Sequence, residues 1–242
     1  MKVLTNLMIF KSKCFRPSYY RSLSLSSSAH ITSEMNKFYS AVNMKENNWK
    51  LDHSSNILFI GSCFSENISK ELENMKFKVT ANPHGIIFNP ISISNCLTDV
   101  LSAKVYNEKD IFIDAITSEV YHSWYHHSAF SCQTQTEMLG LINSQINAAH
   151  RSLFSADALF ITLGTAFAYE LIESGMIVAN CHMRKRFKCW ISIIINNMIF
   201  SLYIESPKLF RKRLLSIDEI TSSLRPAIQK CLELNKNLKV TF

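Results

Sequence analysis

The apolar residues of this chain fall into short unbroken runs that alternate with stretches of helical period. Residues 56–60 (Asn-Ile-Leu-Phe-Ile) are such a run and stop at Gly61, the pattern of a strand buried on both faces of a parallel sheet. From Ser65 the period changes. Ile68, Leu72 and Met75 fall at i, i+4 and i+7 with polar residues between them, which predicts a helix over 65–75. Residues 77–80 begin a second strand, and Asn82-Pro83-His84-Gly85 and Asn89-Pro90 read as turns. Ser92 or Ser94 then opens a helix through Leu97, Val100 and Leu101. Residues 104–135 have no sustained period and are rich in aromatics and histidines. A long helix follows over 137–154, with Leu139, Ile142, Ile146 and Ala149 on its apolar side. Residues 158–163 (Ala-Leu-Phe-Ile-Thr-Leu) are a further buried-strand candidate ending at Gly164, and residues 176–179 a third, ending at Asn180-Cys181-His182. Ser216 or Asp218 caps a last helix through Ile220, Leu224, Ile228, Cys231 and Leu232, and a strand begins at Leu238. The rhythm predicts an α/β fold, a mainly parallel sheet flanked by helices.

Composition narrows the class. At 242 residues, with 47% hydrophobic and 19% charged positions, the chain has the balance of one globular domain with appendages. The net charge of +7 would suggest nucleic acid if it were spread over the domain. It is not. Residues 1–33 carry +5 (Lys2, Lys11, Lys13, Arg16, Arg21, no acid) and residues 183–205 carry +3, so the rest is left at −1. A nearly neutral body argues against a phosphate-binding surface, and no nucleic-acid partner is expected. The acid-free, serine-rich start has the composition of a mitochondrial or plastid transit peptide, a disordered tail being the alternative. Residues 1–50 are accordingly read as a tail and 51–242 as the domain. The seven cysteines are odd in number and include no Cys-x-x-Cys pair, so reduced thiols in an intracellular compartment are expected. No metal-ligand spacing, cofactor motif or membrane span stands out.

The candidate chemistry lies at strand ends. In open α/β sheets reactive groups gather past the carboxyl ends of strands, where helix N-termini point their amides inward. Three such ends carry polar or reactive residues: Ser62-Cys63, Gly164-Thr165 and Asn180-Cys181-His182. A Ser or Cys on the tight turn after Gly61 is placed for nucleophilic attack, and Gly164 lets backbone approach a substrate oxygen. The bland alternative is that small residues there only let the turn pack.

The segment Ile60-Gly61-Ser62-Cys63-Phe64-Ser65-Glu66-Asn67 resembles the signature of the GSCFA family, with Ser65 where the family has Ala. The likeness continues through Asn82-Pro83-His84-Gly85-Ile86, with His84 where the family has Phe, and through Phe88-Asn89-Pro90. It returns at Thr162-Leu163-Gly164-Thr165-Ala166 with Tyr169, at Val178-Ala179-Asn180-Cys181-His182, and across 206–242. The resemblance implies an SGNH-hydrolase-like fold and hydrolysis or transfer of an ester-linked acyl group. In SGNH enzymes the first block is Gly-Asp-Ser; in that register Cys63 takes the nucleophile position, while Ser62 is the competing assignment. Gly61, Gly164, Thr165 and Asn180 are then the residues expected around the oxyanion or substrate. Gly164-Thr165-Ala166-Phe167 lacks the Asn of the SGNH Gly-x-Asn-Asp block, and the late Asp-x-x-His block that supplies the base has no counterpart before Phe242. The domain is therefore expected to be incomplete. His182 is the best remaining candidate for the base, and His126 and His127 come next. A binding or scaffold protein that kept the fold without the catalysis is the alternative, and a cysteine-based transferase a third.

Residues 183–205 interrupt the resemblance. They open with Arg184, Lys185, Arg186 and Lys188 and continue as an isoleucine-rich run broken at Asn196-Asn197. The run is short and polar for a membrane span; a β-hairpin turning at Asn-Asn, or a translated intron, fits better.

Overall fold

The parallel sheet is built around residues 56–61, which form strand β1 (Asn56–Gly61) because an unbroken apolar run can bury both of its faces at once. The chain then runs through α1 (Cys63–Asn74), β2 (Lys78–Ala81), α2 (Pro90–Ser102), β3 (Phe112–Ile113), β4 (Tyr121–His122), α3 (Gln135–Ser155) and β5 (Ala158–Thr162). After these come β6 (Phe167–Leu171), β7 (Ile177–Val178), β8 (Lys188–Ile195), β9 (Met198–Glu205), β10 (Phe210–Leu214), α4 (Ile217–Leu234) and β11 (Lys239–Thr241). The computed structural model describes residues 48–113, 120–179 and 209–242, and the backbone of β8 and β9. Apart from Asn48, all of these belong to the unit Trp49–Phe242.

The central sheet has the order β11-β5-β1-β2, every pair parallel, with Gly61 opposite Thr162 and Leu58 opposite Thr80. Strand alternation divides β1 between two cores. Leu58 and Ile60 face a layer made by Ile93, Leu97 and Val100 of α2, Ile142, Ile146 and Leu153 of α3, and Leu224 and Cys231 of α4. Ile57 and Phe59 face the other way, against Leu72 of α1 and Phe77. The predicted α/β architecture is the observed one: a parallel sheet between helices.

The start of α2, the extent of β7 and one sheet differ most from expectation. Helix α2 starts at Pro90, not at Ser92 or Ser94: Asn89 caps it, its side-chain oxygen accepting from the Ser92 N–H at 2.8 Å, and proline suits the first helical position. Ser94 lies within the helix and ties it to α4 by donating to the Ser223 carbonyl at 2.8 Å. The strand expected over 176–179 is shorter and does not join the parallel sheet. It pairs antiparallel with β6 in a separate sheet of order β10-β6-β7. The cause is chain length. Between β6 and β7 lie only residues 172–176, far fewer than a parallel crossover requires, so the two strands pair antiparallel.

Within 183–205, the described backbone comprises the two strands β8 and β9. β8 and β9 pair antiparallel from Lys188↔Glu205 to Ile195↔Met198, and neither pairs with another sheet. Among the described residues no helix is long and apolar enough to cross a membrane.

Candidate functional site

Strand β1 delivers three residues to the carboxyl edge of the sheet. Gly61 has φ +142, and a Cβ there would lie 2.2 Å from the Thr162 carbonyl oxygen, so only glycine fits between β1 and β5. Its N–H donates to Asn82 Oδ1 at 2.9 Å, and Asn82 in turn donates from Nδ2 to Glu66 Oε2 at 3.1 Å. Lys70 approaches Glu66 Oε1 at 2.8 Å. The Glu66 carboxyl is held below its ordinary range, first by Lys70, then by Asn82 and more distantly by the charge of His127, against the opposing effect of burial.

Ser62 is the N-cap of α1. Its Oγ accepts from the Phe64 N–H at 3.3 Å and lies 3.0 Å from Thr162 Oγ1, while its own N–H donates to the Thr162 carbonyl at 3.1 Å. Ser65 Oγ sits 2.8 Å from the same Thr162 hydroxyl, and both serines are buried. The Ser62 hydroxyl is thus spent on capping and on a three-hydroxyl cluster. Cys63 is the first residue of the helix, and its side chain is exposed. Its N–H belongs to the helix's first turn, whose amides have no intrahelical partner. The structure thereby separates the two nucleophile assignments by surroundings: a buried hydroxyl with two partners, and an open thiol at the positive end of a helix.

Gly164 and Thr165 follow β5 at the same edge, but their amides are occupied. Both donate to the Phe88 carbonyl, at 2.9 and 3.2 Å, and a Cβ on Gly164 would come 2.6 Å from Phe88 Cδ1. Gly164 here makes room for the Phe88 ring. Thr165 Oγ1 accepts from the Phe167 N–H at 3.0 Å. The Phe88 segment belongs to the same corner, since the neighbouring Ile87 N–H donates to the Gly61 carbonyl at 2.9 Å. Asn180 and His182, and with them Cys181, lie outside the described residues.

Of the candidate histidines, His127 is the one whose charge reaches α1. Its Nδ1 accepts from the Ala129 N–H at 3.2 Å, which leaves the proton of the neutral ring on Nε2, and its backbone N–H donates to the His84 carbonyl at 2.8 Å. His126 is buried, its Nδ1 3.0 Å from Ser123 Oγ and its ring tilted at 43° to that of His84, with centroids 4.2 Å apart. His84 was not among the candidates. Its Nε2 lies 3.4 Å from Asp99 Oδ2, which also accepts from the Tyr106 hydroxyl at 2.5 Å. Burial, with the Lys104 charge, holds the His84 imidazole down to about 3, so this contact joins a neutral ring to a carboxyl group. Burial likewise raises Asp99. Thr162, Asn82 and Glu66 were also missed. Each lies in a segment that resembles the family pattern, but nothing local in the sequence marked its contacts. Among the described residues no group of three or more metal-ligating side chains is found.

A parallel-sheet α/β protein whose first strand ends in a Gly-Ser-Cys turn capping a helix is a recognisable class. The sequence model of the GSCFA family matches residues 56–242, and the chain belongs to that family. No curated protein and no solved structure matches it.

Proposed function

We propose that the chain is an SGNH-like hydrolase or acyl transferase acting on an ester-linked acyl group, with Cys63 as nucleophile. The observation that carries this reading is the exposed thiol at the first position of α1 beside a serine whose hydroxyl is already engaged. In the reaction, Cys63 Sγ bonds to the acyl carbonyl carbon and the alcohol leaves as the C–O bond breaks, taking up a proton. Water or an acceptor alcohol then attacks the thioester, releasing the acyl group and restoring the thiol. The positive end of α1 favours the oxyanion of each tetrahedral intermediate. The proton lost by the Cys63 thiol on attack is the one the leaving alcohol takes up, and Asn180 and His182 remain candidates as oxyanion donor and base.

A second reading is favoured by the engaged Gly164 and Thr165 amides: a binding protein that keeps the fold and lacks a complete oxyanion hole. Labelling distinguishes the readings. Selective alkylation of Cys63 by iodoacetamide, abolished by prior incubation with an activated ester, supports the thiol enzyme. Fluorophosphonate labelling of Ser62 transfers the role to the serine, and failure of both reagents leaves the binding protein.

A further inference from the structure

Between α2 and β7 lies a cavity of about 290 Å³, and none of the residues lining it comes from β1, α1 or β5. It is therefore separate from the Cys63 corner. Its volume is at the lower end for ligand sites (~300–1,000 Å³), which selects a small molecule. Helix α2 presents Ile91, Asn95, Thr98 and Asp99 to it along one face, and Lys104, Tyr125, Met176 and Ile177 complete the lining.

Three donors of this lining lack a good acceptor. The Lys104 ammonium is 3.9 Å from Asp99 Oδ1 and 4.0 Å from Asp110 Oδ1, beyond hydrogen-bond distance, and rests over the rings of Tyr106 and Tyr125 at 4.1 and 4.8 Å. The Tyr125 hydroxyl donates to Met176 Sδ at 3.2 Å, and a thioether is a weak acceptor. The half-buried Asn95 amide has no hydrogen-bond partner among the described residues. The one acidic group in the lining is already used, since Asp99 Oδ2 accepts from the Tyr106 hydroxyl and lies against His84. Burial favours the neutral form of that carboxyl, which lessens its repulsion of an anion.

We propose that this cavity binds a short-chain organic carboxylate, its oxygens accepting from Lys104, Asn95 and Tyr125 and its hydrocarbon lying against Ile91 and Ile177. An ammonium ligand fits less well, because Lys104 already fills the place between the carboxylates and the tyrosine rings. A phosphate fits less well too: its second charge would face Asp99 and Asp110, and the apolar part of the lining would stay uncovered.

The test is isothermal titration of the full chain with butanoate, alongside butylammonium and inorganic phosphate. The proposal predicts one saturable butanoate site, weakened about tenfold by Lys104→Met, which keeps the stem over the tyrosines, and severalfold by Asn95→Ala. Should Lys104→Met fail to fold, Asn95→Ala carries the comparison. Cys63→Ala should leave butanoate affinity unchanged, so the result is independent of the chemistry proposed at that residue. The proposal is overturned by absence of a saturable butanoate site, by equal affinity in the folded variants, or by tighter binding of butylammonium or phosphate.

Discussion

Acid should destabilise this protein through His84, by an amount the structure allows to be worked out. The ring is buried between the Asn82–Gly85 turn, α2 and Tyr106, and its imidazole is held down to about 3, from an ordinary value of 6.5. In the unfolded chain the same ring takes up a proton as pH falls through 6.5; in the folded chain it stays neutral until about 3. The unfolded state therefore binds more protons across that window, and stability is lost as pH drops. The difference amounts to about 2 kcal/mol between pH 7 and pH 5, rising to about 4 kcal/mol by pH 3. Asp99, raised by burial, works the other way at the acid end, since protonating it favours the folded state. The assay is urea unfolding at pH 7 and pH 5 for the wild type and for His84→Phe, the residue found at this position in the family pattern. The variant should lose about 2 kcal/mol less than wild type over this interval, with His84→Leu as a second apolar replacement. Equal losses in wild type and variants would refute the assignment of a neutral buried imidazole.

Three other outcomes follow from the same coordinates. Gly61→Ala should lower the unfolding free energy by at least about 2 kcal/mol in urea titration, because its Cβ meets the Thr162 carbonyl at 2.2 Å in a backbone region that L-residues avoid. Ser216→Ala should cost about 1 kcal/mol by the same assay, because Ser216 and Glu219 form a reciprocal cap on α4. A chain lacking residues 183–205 should keep the urea midpoint of the full chain, since β8 and β9 pair only with each other; loss of a cooperative transition would show that the hairpin supports the fold.

What could be read from the sequence was local. The switch of period at Gly61 marked both β1 and α1, and the spacing from Ser216 to Leu232 marked α4, because burial of one face imposes a repeat. A strand was expected to begin at Leu238, and β11 (Lys239–Thr241) starts one residue later and pairs beside β5. Asn89-Pro90 was read as a turn, although proline at a first helical position carries the same two letters. Of the β10-β6-β7 sheet, only β7 was anticipated, as the strand at 176–179. Its pairing with β6 and the pairing of β6 with β10, about forty residues further on, left no local period. The site shows the same division. The Gly61-Ser62-Cys63 turn was legible as a motif. The different surroundings of Ser62 and Cys63 were not, because they depend on Thr162, a hundred residues from Ser62, whose hydroxyl contacts that of Ser62 and not the cysteine. His84, Asp99 and Tyr106 meet only after α2 has packed onto the Asn82–Gly85 turn.

The central claim is that Cys63, presented at the start of α1, is the reacting atom's owner. It is tested most directly by mixing the full chain with p-nitrophenyl acetate, quenching in acid and mapping the acetyl group by peptide mass spectrometry. An acetyl thioester on Cys63, formed faster than on free N-acetylcysteine at the same pH and absent from Cys63→Ala, is the predicted result. An acetyl group on Ser62, or a Cys63 that reacts no faster than the free thiol, would contradict it.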